Sequence, residues 1–290
     1  MTISEITKLS VNFVNGEEIK MKELTTSGLP IFYDDKGILE LGHGLNIQGT
    51  GRKTVREMAE LLVASGYLPD DETYYDVYRG IMWPKDTDLF KKTNKRYDIT
   101  AIMESPAEGE CKKTSGHFHT CPPGGVLSYP EVYEVLLGTA MYILVKVNDR
   151  PADMNELIVE DIRLVTVEAG QTIIIPPSYG HAAINAGVGP MLFNNICTLE
   201  NKSDYSIIKH FHGMPYYITK KNGEVIPVKN ANWTMQLPQP RMMRVRPNPD
   251  LGIIFNNPVY HEFIKRPEIF NFLENPSGHV DKIMNMLIDA

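Results

Sequence analysis

Cysteine is scarce: Cys111, Cys121 and Cys197 are the only three in 290 residues, and none forms a CxxC pair. An odd, dispersed set excludes a disulfide framework and a thiolate zinc site as organising features, and it fits a reducing compartment. No stretch approaches the roughly eighteen uncharged apolar residues that a membrane-spanning helix requires. The opening MTISEITKLSVNFVNGEEIK is broken by acids and has no continuous apolar run of the secretory kind. A cytoplasmic protein is the expectation. Basic residues are outnumbered, 29 Lys plus Arg against 36 Asp plus Glu for a formal charge of −7. That balance argues against broad affinity for nucleic acid or an anionic membrane, while leaving room for a local cationic site. Internal repeats and low-complexity tracts are also lacking. What remains, 42% hydrophobic and 22% charged residues, is the composition of a globular chain.

The segment KTVREMAELLVASG, residues 53–66, places Val55, Met58, Ala59 and Leu62 at helical spacing with Gly66 as C-cap, and it predicts a helix. From Tyr97 to Val228 the texture changes to short apolar runs divided by turns: YDITAIM, VYEVLLG, AMYILVKV, IRLVTVEAG, QTIIIPP and PMLFNNICTL. Many short strands at close spacing predict a sandwich or small barrel. Proline is dense between Pro227 and Pro258, which reads as an extended arm rather than another strand layer. Beyond it, PEIFNFLE and HVDKIMNMLIDA read as helices that pack on the core or at a dimer interface.

The stretch TSGHFHTCPPGGVLSYPEVYEVLLG carries the chemistry. On a strand, His117 and His119 project from one face and Phe118 from the other. The Pro- and Gly-rich residues 120–130 let the chain turn and return as a strand whose first residue, Glu131, faces those imidazoles, with Tyr133 on the same side. A further imidazole comes from IIIPPSYGHAAIN, where a Pro-Pro turn precedes His181. Three neutral nitrogen donors and one carboxylate suit one divalent ion: iron, manganese, nickel or zinc.

This pattern resembles the cupin signature, in which a G-x-H-x-H…E…G block and a P…H…N block supply metal ligands from a small β-barrel. More narrowly, GHFH, EVYEVLLG and PPSYGHAAIN are similar to the metal-binding segments of the cupin-type glucose-6-phosphate isomerases of archaea and some bacteria. The likeness runs from about Ile31 to Trp233. It implies a mainly β cupin barrel over residues 31–234, to which the chain's own pattern adds an N-terminal extension over 1–30, an N-terminal helical segment and a C-terminal Pro-rich arm with helices over 235–290. It also implies a cytoplasmic homodimer of glycolysis and gluconeogenesis that interconverts glucose 6-phosphate and fructose 6-phosphate. Its cofactor would be one divalent ion per subunit, iron first, on His117, His119, Glu131 and His181. Thr100, Thr114 and the Gly116 backbone would hold the substrate phosphate, with Tyr75 and Tyr205 near it. Tyr133 would sit beside the reacting end. The family places a Tyr and a His in the pocket where this chain has Cys197 and Ser203.

Aldose–ketose isomerisation needs a polarised carbonyl and a hydrogen moved between C1 and C2. Glu131 is assigned as the proton shuttle, and a hydride shift is the rival. Another cupin enzyme, such as an iron dioxygenase, and a non-catalytic sugar-phosphate-binding protein are the alternatives. Among weaker signals, His210 and His212 repeat the HFH pattern without an acid or third imidazole and read as structural. GHGLNIQGTGRKT lacks the order of a phosphate loop, and His261–Glu262 lacks the second histidine of HExxH.

Overall fold

The computed structural model describes residues 9–14, 17–63, 68–148, 151 and 153–290. Eleven strands build its central body. In chain order they are β1 (Gly49–Thr54), β2 (Thr73–Arg79), β3 (Lys95–Ile102), β4 (Glu131–Leu137), β5 (Thr139–Val147), β6 (Val159–Glu168), β7 (Thr172–Ile175), β8 (Tyr179–Asn185), β9 (Met191–Thr198), β10 (Arg241–Val245) and β11 (Leu287–Asp289). One sheet runs β7-β4-β9-β3-β2-β1 and the other β8-β5-β6-β10-β11. Their inner faces share one core: Tyr133, Val135, Phe193 and Ile102 of the first meet Tyr142, Leu144, Ile162 and Ala183 of the second.

Strand alternation explains why the first sheet is buried on both sides. Along β3, Tyr97, Ile99 and Ala101 enter an outer core, whereas Asp98 and Thr100 face the barrel interior. The outer core is closed by Leu24, Leu29 and Ile31 from one end of the chain and by Phe263, Phe270 and Phe272 from the other. A buried β4 carboxyl, Glu134, joins arm to sheet, accepting hydrogen bonds from Asn194 Nδ2 at 2.5 Å and from the Val259 backbone N–H at 3.1 Å.

Three expected elements differ. The helix over 53–66 is one α turn, Val55–Met58, followed by a 3-10 turn, Ala59–Leu61. Residues 49–54 are paired in β1 against β2, so helix cannot begin before Thr54. Thr54 caps that turn reciprocally with Glu57. Gly66, the expected C-cap, lies outside the described residues. Ahead of Val55 the described chain has no α-helix; a four-stranded antiparallel sheet spans Leu9–Val14, Glu17–Glu23, Ile31–Tyr33 and Leu39–Leu41 instead. The Pro-rich arm supplies a strand layer after all: β10 runs parallel to β6 and pairs with β11, so HVDKIMNMLIDA is helical only over Val280–Met284.

Candidate metal centre and substrate pocket

Glu131 and Tyr133, two residues apart at the start of β4, leave that strand on its inner face. His181 projects from β8, across the barrel. The backbones of His117 and His181 exchange two hydrogen bonds of 3.0 Å, fixing the GHFH segment beside β8. Phe118 points away into the core, 1% exposed, and its ring lies where a Cβ on Gly180 would be, at 2.5–2.8 Å; only glycine permits that approach. His119 follows on the inward side, its short strand paired with Ser203 and Asp204.

These local decisions bring four donor groups together. His117 Nε2 is 3.2 Å from His119 Nε2, which is 3.0 Å from Glu131 Oε2. His181 Nε2 stands 4.0 Å from the same carboxylate oxygen, and all four donor atoms lie within 4.8 Å of one another. Among the described residues, this is the one group of three or more such side chains that converges in this way. Two donors each about 2.1 Å from a common ion are separated by roughly 3.0–3.4 Å, so the shorter spacings suit shared coordination. His119 Nδ1 donates to the Tyr129 carbonyl at 2.7 Å, which fixes the ring with Nε2 turned inward toward Glu131.

Charge agrees with geometry. Burial, then the neighbouring His119, pushes His117 down to about 3, and burial holds His181 well below its ordinary value. Both rings are therefore neutral. Burial pushes the Glu131 carboxyl upward, but hydrogen bonding and charge from His119, with help from His117 and Tyr133, outweigh it and leave the group below its usual range. Tyr133 donates to Glu131 Oε2 at 2.9 Å and lies 3.0 Å from His181 Nε2. Asn195 Nδ2 donates to the other carboxylate oxygen at 2.7 Å. Three imidazole nitrogens and an anionic oxygen around one point form a donor set for a divalent cation.

The centre opens into a cavity of about 150 Å³ that also receives Tyr75, Thr100, Thr114, Gly116 and Tyr205. The Tyr75 hydroxyl is 3.2 Å from Ser115 Oγ, and Thr114 Oγ1 accepts the Ala183 N–H at 3.0 Å. Gly116 has φ of +76°, and a Cβ there would press on Met214 and Ala182. Tyr205, 40% exposed, places its ring 5.5 Å from His117. Thus the residues expected at the metal, the reacting end and the phosphate meet around one pocket, all of them on its lining except His119, which adjoins His117 and Glu131. His210 and His212 do not join it; His212 Nδ1 lies 3.2 Å from the Glu60 carbonyl. Sequence reading missed Asn195, Arg79, Arg96 and Asp98, which line the same cavity. In KRYDITAI the charged residues alternate with buried Tyr97 and Ile99, a period-two signal that could have turned Arg96 and Asp98 inward.

A two-sheet barrel of this topology has the cupin fold, and the three histidines and the glutamate on its inner wall form a group that could hold a metal ion. Its sequence places it more narrowly: the pattern of the glucose-6-phosphate isomerase (GPI) family matches residues 52–236, and the chain belongs to that family. Glucose-6-phosphate isomerase of Thermococcus litoralis is 24% identical over 195 residues, covering 63% of this chain and 89% of that protein. The Pyrococcus furiosus enzyme is 25% identical over 193 residues, covering 63% and 88%. Solved structures with a detectable likeness include oxalate decarboxylase of Bacillus subtilis (17% identity, TM-score 0.27, 44% of this chain) and hazelnut vicilin (15%, 0.28, 53%). The chain spans under a third of either one, 27% and 30%.

Proposed function

We propose that the protein is a metal-dependent isomerase interconverting glucose 6-phosphate and fructose 6-phosphate. The observation that carries this reading is the convergence of His117, His119, Glu131 and His181 at the wall of a pocket that also gathers hydroxyls and backbone suited to a phosphate, in a chain of this family. The four side chains would hold one divalent ion, with Fe²⁺ preferred over Mn²⁺, Ni²⁺ or Zn²⁺. When bound, the ion supplies Lewis acidity toward the substrate carbonyl.

The chain's own residues do the rest. Thr100, Thr114, Gly116, Tyr75 and Tyr205 hold the phosphate and so direct C1 and C2 toward Glu131. As the C2–H bond of the aldose breaks, Glu131 takes the proton and the electron pair moves through C1–C2 to the carbonyl oxygen. The proton returns to C1, and a proton passes from O2 to O1, completing the ketose. Tyr133 holds the shuttle carboxylate in place. The reading extends to a cytoplasmic homodimer serving glycolysis and gluconeogenesis. The open edge of β1 favours self-association, and no helix among the described residues is long and apolar enough to cross a membrane.

A coupled isomerase assay on chelated and metal-restored protein tests the reading. Activity should vanish on chelation, return with metal, and be lost in His119→Ala and Glu131→Gln. Tight fructose 6-phosphate binding without turnover in metal-restored protein would instead select a sugar-phosphate-binding protein. Oxygen uptake with an organic substrate would select an oxygenase.

A further inference from the structure

The inner face of the first sheet is laid out in rows, and the rows give the pocket a direction. Phe193 of β9 pairs with Thr100 of β3, which pairs with Val77 of β2. One step along the strands, Tyr133, Asn195 and Asp98 stand abreast. A further step brings Cys197 opposite Arg96, with Glu131 next in line, because the adjacent Val132 pairs with Ile196. Arg96 and Thr100 are four residues apart on one strand, about 13 Å. Whatever anion the Thr100 end holds, Arg96 belongs to the opposite end, in the row of Glu131.

Two guanidinium groups stand at that end, with the Glu131 carboxylate in the row of Arg96 and Asp98 one row away. Arg96 Nε lies 2.8 and 2.9 Å from the two oxygens of Asp98, and Arg79 Nη1 lies 3.8 Å from the same carboxylate. One acid thus serves two guanidinium groups. Asp98 is nearly enclosed, its side chain 3% exposed, and its Oδ1 also accepts the Gly80 N–H at 2.9 Å. Asp98 engages Arg96 through Nε, and the Nη groups of Arg96 make no hydrogen bond among the described residues. The small side chains of Cys197 and Ser203 line the cavity with it. At 26% exposure the guanidinium is largely removed from water, where its field on a neighbouring oxygen is stronger than at the surface.

From these positions we infer that Arg96 is a further catalytic residue: it donates from its Nη groups to the substrate oxygen at the reacting end that gains negative charge as the C2–H bond breaks, stabilising the enediolate. This rests on the isomerase reading above. A cation waiting where charge develops acts on the transition state more than on the neutral sugar, so it governs turnover rather than binding.

Two inhibitors of equal chain length separate these effects. A phosphorylated aldonate presents a carboxylate at the reacting end, and a phosphorylated alditol presents a neutral hydroxymethyl group. Wild-type protein should bind the aldonate about 100-fold more tightly. In Arg96→Gln that preference should fall below about 10-fold and kcat should drop about 100-fold, with KM within a few-fold. Arg96→Lys should regain part of both. Unchanged metal content and alditol affinity show that the variant is folded. Retention of both the aldonate preference and kcat in Arg96→Gln overturns the inference while leaving the isomerase reading intact. A wild-type preference abolished by Arg96→Gln, with no hexose phosphate turnover in either protein, supports the anion subsite and overturns the isomerase reading.

Discussion

At the scale of single residues, the centre depends on groups that never touch the proposed ion. Asn195 holds Glu131 Oε1, leaving Oε2 toward His119 and Tyr133. Replacing it in Asn195→Leu leaves that oxygen without its donor in a buried site, and we expect a 10- to 100-fold loss in metal affinity, read by titrating chelated protein. The Glu131 shuttle is tested by isotope: isomerisation in D₂O should place solvent deuterium on C1 of the product. Complete retention of the substrate hydrogen would assign a hydride shift instead. The four converging side chains were legible in the sequence because imidazole and carboxylate have few other reasons to recur as HxH, E and PPxxxH around strands. Asn195 was not legible, and Arg96 only through the period-two alternation of KRYDITAI. An Asn or Arg in a strand looks the same facing solvent or facing a pocket until the register of its neighbours is known.

At the scale of elements, strands were easier to read than helices or the arm. Runs such as AMYILVKV and QTIIIPP are rich in β-branched residues and sharply bounded, so β5 and β7 announce themselves. RMMRV does not, because β10 exposes three of its five side chains and only Met243 and Val245 enter the core, too short an alternation to stand out in a Pro-rich stretch. The arm's attachment has a measurable consequence. Burial, offset only in part by Asn194 and the Val259 N–H, pushes Glu134 up to about 8 from an ordinary 4.5. The folded protein therefore favours the protonated acid. This group's contribution to stability is complete below about pH 4.5 and is lost as the pH rises toward 8. At about 1.4 kcal/mol per pH unit the loss reaches several kcal/mol. Glu134→Gln keeps a neutral acceptor for Val259 and cannot ionise, so the pH 5 to pH 8 decline in urea midpoint should be smaller than in wild type. An equal decline in both proteins would show that Glu134 is not its source.

At the scale of the whole molecule, the sequence suggested a barrel with appendages at both ends, and we propose instead that residues 31–234 and the arm over 235–290 unfold as one unit. The reason is the double burial of the first sheet. Its inner side chains belong to the barrel core and its outer ones to a core completed by Phe263, Phe270 and Phe272, so neither core survives loss of the sheet. The two tryptophans report on the two cores separately. Trp233 is fully buried in the inner one, stacked on Phe211 with its Nε1 donating to the Gly213 carbonyl at 3.0 Å. Trp83 packs on the outer one, its backbone N–H donating to the Tyr260 hydroxyl of the arm at 3.1 Å. Trp83→Phe and Trp233→Phe each leave a single fluorophore, and within each variant the urea transition read by that fluorophore should coincide with the one read by circular dichroism. In Trp233→Phe, a Trp83 signal that melts well before the circular dichroism would mean that the arm detaches on its own. The sheet would then hold its inner face together with the outer one exposed to water, which the apolar row Tyr97, Ile99 and Ala101 makes costly.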